Sequence, residues 1–207
     1  MLPPLNLDTA KKFLRLMVGL YIYGWGIALM VHASIGIAPW DVFAQGISHQ
    51  TGLTFGISSV VVSLLVLICW IPVKVKALGI GTILNGIFIG VFCDLSMPLL
   101  PTWPNLLTQY LTFIAGIVTV AFATGLYISS KLGSGPRDGL MVGLSKLTNR
   151  PLWILRTATE ATVLIIGWLM GGQVGFGTII FAICIGPLMQ LSLRLFKYPT
   201  HRDVEQA

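Results

Sequence analysis

GSGPRDGLMVGLS, residues 133–145, and GIAPWDVFAQGIS, residues 36–48, are two copies of one element. At a constant separation of 97 residues Gly36 matches Gly133, Pro39 matches Pro136 and Asp41 matches Asp138, with Gly46 and Ser48 matched by Gly143 and Ser145. One copy alone would read as a glycine-rich loop opening a helix. Two copies make the organisation of the whole chain the question.

The repetition extends past the motif. GIGTILNGIFIG at 79–90 returns as GFGTIIFAICIG at 175–186, so Gly79, Gly81, Thr82 and Gly90 recur as Gly175, Gly177, Thr178 and Gly186. The chain divides into repeat one, 13–97, and repeat two, 106–195, within a single membrane domain spanning 1–207.

Composition sets the class. Of 207 residues, 55% are hydrophobic and 10% charged, where a soluble domain is about a quarter charged. Mean hydropathy is +0.86, and an integral membrane protein is the reading. The net charge of +6 does not indicate nucleic acid, because the basic residues sit at the ends of apolar runs rather than in a patch with interleaved aromatics. The lipid bilayer is the expected partner. Cys69, Cys93 and Cys184 lie inside apolar runs without a CxxC pair and read as small packing residues. No cofactor is called for.

Six runs are long enough for the ~20 residues of a membrane-crossing helix: about 13–33, 53–72, 78–97, 106–130, 152–170 and 174–195. They are continuous rather than alternating, which excludes barrel strands. The first run lacks a small-residue cleavage site and reads as a retained helix. With the N-terminus in the cytoplasm, alternation puts Lys11, Lys12 and Arg15 inside, then Lys74 and Lys76. It does the same for the five basic residues from Lys131 to Arg156, and for Arg194, Lys197 and Arg202. All 13 Lys and Arg fall on one side, as the loop charge bias of membrane proteins requires. A bacterial cell (inner) membrane with both termini cytoplasmic is expected. Three crossings per repeat is an odd number, so repeat two enters inverted relative to repeat one. The expected fold is all-α, six spans as two inverted three-helix repeats, each with a short motif helix after its first span.

The paired G-x-x-P-x-D elements, the G-x-G-T helices and the six-span length resemble the YczE/YitT group of bacterial inner-membrane proteins. The resemblance covers nearly the whole chain, GPRDGL being its most specific stretch. It implies fold and location and supplies no reaction.

Within each motif, Pro39 and Pro136 suit the first helical position, where a missing N–H costs nothing. Asp41 and Asp138 then stand in the first turn, opposite the positive end of the helix dipole. Ser134 is a candidate cap in the second copy, whereas Ala38 is a poor one. Two readings stay open: a cap at a loop-to-helix junction, or a substrate or ion site built from broken helices at corresponding places in two halves. Gly36, Gly133 and Gly135 would let the chain break there. A phosphate loop is excluded by the absence of a Gly-Lys-Ser/Thr ending. The motif helix either dips into the membrane or lies along its surface.

Arg137 replaces Trp40 between the copies and can neutralise Asp138 or meet an anionic ligand. Glu160 lies within the fifth run, where an acid marks an ion or substrate path by default. Its partner is either Arg156, four residues earlier, or Arg137. Asp94 ends the third run and forms either an outer acidic pair with Asp41 or an exposed loop group. Asn85 is expected to bond a neighbouring helix. His32, His49 and Asp41 include metal-capable groups without a metal-site spacing. Thr82, Gly86 and Gly90, with Thr178, Ala182 and Gly186, form small-residue stripes that would pack the third and sixth spans together near the axis relating the halves. Tyr21, Tyr23, Trp25, Trp103, Trp153, Trp168 and Tyr198 read as an interfacial belt.

These features favour a permease for a small solute or ion, with alternating access and proton coupling through Glu160 or Asp138. The alternative is a non-transporting accessory or scaffold for a partner membrane protein. A homo-oligomer suits either. An enzyme is not expected, since no GxSxG, HExxH or paired catalytic carboxylates appear.

Overall fold

The computed structural model describes residues 6–73 and 79–197, with side chains for 6–71 and 79–197. The expected placements of Lys74, Lys76, Tyr198 and Arg202 lie outside them. The regular structure of the described residues is all helical: α1 (Leu7–Ala33), α2 (Pro39–Thr51), α3 (Phe55–Val73), α4 (Ile80–Ser96), α5 (Leu106–Ile128), α6 (Pro136–Thr148), α7 (Leu152–Leu169) and α8 (Phe176–Leu195), with one short 3-10 turn, Met97–Leu99, after α4.

α1 starts six residues before the apolar run does because Asn6 caps it, its Oδ1 accepting from the Thr9 N–H at 2.9 Å. Asn105 caps α5 in the same way through Thr108, also at 2.9 Å. Five helices (α1, α4, α5, α7 and α8) are each long and apolar enough to cross a bilayer. α2 and α3 pass that test together, bent by 115° at their junction. The chain is a multi-pass membrane protein.

α1 and α5 form the central and most extensive helix pair. Glycines let them approach: a Cβ on Gly19 would stand 2.8 Å from Tyr127, one on Gly26 2.8 Å from Val120, and one on Gly116 2.6 Å from Met30. Since Gly19 meets Tyr127 while Met30 meets Gly116, the two helices run antiparallel. α4 packs on α1 and α8 on α5; α2 lies against α7 and α3, and α6 against α3 and α7. The stripes on α4 and α8 therefore do not pair with each other at the centre, as the sequence reading expected. A Cβ on Gly86 would lie 3.1 Å from Ser63 of α3, whereas a Cβ on Gly186 would meet nothing within 4 Å. A small-residue stripe marks where a backbone can approach and does not specify which helix does.

The motif helices have equal length and both begin on proline. Ser134 does not cap α6; the cap positions are Ala38 and Gly135, and neither has a capping side chain. Gly36 and Gly133 have φ of 112° and 140°, the left-handed region where a Cβ is strained. Each also abuts the G-x-G-T helix start of the other half of the chain. A Cβ on Gly36 would lie 2.7 Å from Gly175 N, and one on Gly133 2.7 Å from Thr82 Oγ1. Just before each glycine, Ile35 C=O accepts from Gly177 N–H at 2.8 Å and Leu132 C=O from Gly81 N–H at 3.0 Å. At the far end of each motif helix, Ser48 Oγ donates to Leu53 C=O at 2.7 Å and Ser145 Oγ to Arg150 C=O at 2.8 Å. Contacts thus recur at matched positions, each half clasping the other.

Candidate functional site

Most of the motif is used up by folding. The first glycine makes the turn, the proline opens the helix, Gly46 lies 2.8 Å from Gly167 O by its would-be Cβ, Gly143 is buried, and the serine closes the next turn. The aspartates are left over. Both face a cavity of about 310 Å³ at the centre of the bundle, at the small end of ligand pockets.

The starts of α2 and α6 enter this cavity side by side, bringing Pro39, Asp41, Gly135, Pro136, Arg137 and Asp138 together. The facing walls come from α1 and α5 (Tyr23, Met30, Thr124, Tyr127), from α3 and α4 (Ser59, Ser63, Asn85), and from α7 and α8 (Trp153, Arg156, Glu160, Phe181, Ile185). Gly36 and Gly133 do not line it. They support it from behind by fixing the approach to each motif helix.

Charges in the cavity pair across the chain. Arg137 Nη2 lies 3.5 Å from Asp41 Oδ1, so it bonds the aspartate of the other motif rather than Asp138 beside it. Successive residues of a helix diverge by about 100°, which turns the Arg137 side chain away from Asp138. The Arg137 guanidinium also lies 5.2 Å from the centroid of the Trp40 ring, within cation–π range. Arg156 Nε donates to Glu160 Oε1 at 2.9 Å, and that local pair takes Glu160 in preference to Arg137. Asp138 has no ion pair or side-chain hydrogen bond among the described residues.

Asp94 is neither an outer acid beside Asp41 nor a loose loop group. It accepts from the Gly56 N–H at 2.7 Å and from the Thr54 hydroxyl, and so caps α3. Asn85 is 7% exposed, yet its amide bonds no neighbouring helix; it faces the cavity. Tyr23 and Trp153 line the cavity, Trp153 from the exposed start of α7. Among the described residues no three His, Cys, Asp or Glu side chains gather as a metal site.

Sequence reasoning missed Trp70, 2% exposed, whose Nε1–H donates to Pro136 C=O at 3.0 Å. It rests on Gly139, where a Cβ would collide with the indole. A lone Gly after Asp138, opposite a Trp near the end of the paired span, was the available signal.

The walls differ between the halves. At the α3–α4 end, Gly56 and Gly90 touch backbone to backbone. Their matched positions are Trp153 on α7 and Gly186 on α8, and these two helices share no packed interface among the described residues. Gly186 faces open space and Trp153 is 69% exposed. α3 and α4 are therefore packed together at this level, and the matched pair α7 and α8 is not.

Residues 10–194 match the model of a family described as a family of unknown function, DUF6198. An uncharacterized protein of Haemophilus influenzae is 37% identical over 95% of this chain and 89% of its own length. The uncharacterized membrane protein YczE of Bacillus subtilis is 35% identical over 84% of this chain and 82% of its own. The uncharacterized protein YyaS of Bacillus subtilis is 28% identical over 86% of this chain and 90% of its own. No solved structure matches.

Proposed function

The chain belongs to the family of unknown function DUF6198, and from that premise we propose that it is a membrane permease carrying a small solute through the central cavity by alternating access. Its halves, 13–97 and 106–195, act as inverted repeats. The single observation that carries this reading is the unequal pair of walls: packed where Gly56 meets Gly90, unpacked at the matched positions Trp153 and Gly186. Two matched helix pairs in opposite states around one central cavity are what an inverted-repeat transporter has at one end of its cycle.

The inverted relation is supported by the antiparallel course of α1 and α5, each the first helix of its repeat, and by the reciprocal bonds of Ile35 with Gly177 and Leu132 with Gly81. The orientation is supported by the 13 basic residues falling on one side of an alternating chain. Both termini are then cytoplasmic in a bacterial cell membrane, and the open end, between the start of α7 and the end of α8, faces the cytoplasm. The charged groups at the cavity are the means of coupling to a proton or another ion.

The test is a metabolite screen on proteoliposomes, wild type against Asp138→Asn, with both proteins shown to be folded. A solute accumulating only with wild type supports the permease. No difference across a broad library, together with one membrane protein co-purifying in fixed stoichiometry, would assign the accessory role instead.

A further inference from the structure

We propose that the cavity recognises a small organic cation, an ammonium whose charge is held by Asp138. This rests on the permease reading and specifies its substrate class.

The charge inventory favours a cation. Three carboxyl groups and two guanidinium groups line the cavity: Asp41, Asp138 and Glu160 with Arg137 and Arg156. Both arginines are engaged, one with Asp41 at 3.5 Å and one with Glu160 at 2.9 Å. Asp138 is the carboxylate left over.

The two helix starts do not reverse this. A helix N-terminus binds an anion through its free N–H groups. Here the first helical residue of each is proline, which has no N–H, and the third is an aspartate. An anion at either start would meet a carboxylate. Arg137 is further covered on one face by Trp40.

The neutral lining fits an ammonium. Tyr23 and Tyr127 stand edge to face with centroids 6.2 Å apart, and Trp153 and Phe181 complete an aromatic surround, the surface on which cations bind rings. Ser59, Ser63 and Asn85 are 4%, 7% and 7% exposed. They line the cavity, and their side chains have no hydrogen-bond partner among the described residues. These three are acceptors and donors held ready for N–H groups and for the water that accompanies them.

The experiment uses the full chain in detergent and a size-matched series: n-butylammonium, n-butanol and butyrate. Binding is read from the fluorescence of the cavity tryptophans and from thermal stabilisation. Saturable binding of n-butylammonium is expected, with n-butanol and butyrate at least about tenfold weaker, a factor worth about 1.4 kcal/mol. Asp138→Asn should weaken n-butylammonium by a similar factor and Asp138→Glu should largely retain it. Butyrate binding as tightly as n-butylammonium on the wild-type protein would overturn the proposal whatever the variants do. So would equal binding of n-butylammonium to a folded Asp138→Asn variant, or no binding by any of the three. Flux separates the two ideas. Ammonium binding without flux in proteoliposomes removes the permease and leaves the site, while flux of an anionic solute removes the cation and leaves the permease.

Discussion

Arg137 reaches past its neighbour Asp138 to hold Asp41, 96 positions earlier in the chain, with 3.5 Å between Nη2 and Oδ1. The bond joins the starts of α2 and α6 across the cavity floor. It also explains why the two copies of the motif differ: Trp40 supplies a ring and Arg137, at the matched position, the cation that lies on it. The side chains at one matched position are complementary to each other, so neither copy could serve as both.

Removing the cation should cost more than removing the pair. Asp41 is nearly fully buried and Arg137 about a quarter exposed, so Arg137→Gln leaves a buried carboxylate uncompensated. A destabilisation of about 2 kcal/mol is expected, below the 3–5 of a fully buried pair because Arg137 is partly solvated. Asp41→Asn combined with Arg137→Gln should recover most of it. Thermal unfolding in detergent across the four-protein cycle measures the coupling. A double variant whose loss equals the sum of the two single losses would show that the bond contributes nothing.

The matched glycines Gly90 and Gly186 should respond oppositely to the same change. Leucine at 90 drives a side chain into the Gly56 backbone, beyond the 1–3 kcal/mol or so of ordinary overpacking, and should abolish folding or lower the melting temperature steeply. Leucine at 186 enters open space and should change stability by no more than about 0.5 kcal/mol, as at a surface. Equal destabilisation by Gly186→Leu would mean that α7 and α8 pack together in detergent.

Gly36→Ala and Gly133→Ala should both destabilise, for two reasons at once. Each needs positive φ, at about 1–2 kcal/mol for an L-residue, and each Cβ would come within 2.7 Å of the opposite half. A combined loss of at least about 2 kcal/mol is expected for either. Gly52 also has positive φ, 73°, but open space around it, so Gly52→Ala isolates the conformational part. If all three variants lose the same stability, the clasp between the halves is not carried by these glycines.

Much of this fold was legible because the chain states it twice. The motif offset located both short helices and their proline starts, and the apolar runs located the long helices to within a few residues, the capped start of α1 excepted. Partner choice was not legible. Glu160 taking Arg156 follows from i,i+4 spacing, but Arg137 taking Asp41 needs two helix starts brought face to face, which no local spacing encodes. The central pair was misread because the small-residue stripes on α4 and α8 were conspicuous. The glycines on α1 that do the packing recur seven apart, Gly19 with Gly26, and that weaker period was available. Asn85 and Asp94 show the remaining difficulty. Both are polar residues on one helix, and only the neighbouring backbone decides that Asp94 caps α3 while Asn85 faces a cavity.

The unequal walls lead to the most direct test of motion. If α3–α4 and α7–α8 exchange states, α7 must close on α8 in the other conformation, bringing position 153 toward position 186 as Gly56 now meets Gly90. In a variant with Cys69, Cys93 and Cys184 replaced, Trp153→Cys with Gly186→Cys supplies a pair that can crosslink only after closure. A disulfide needs Cα atoms within about 7 Å, and no packed interface holds these helices that close in the open form. Crosslinking should therefore proceed slowly, should accelerate when a transported solute is present, and should stop flux until a reductant restores it. If 153 and 186 never crosslink in a folded variant, with or without solute, the opening between α7 and α8 is a permanent feature, and a partner surface explains it better than a transport cycle.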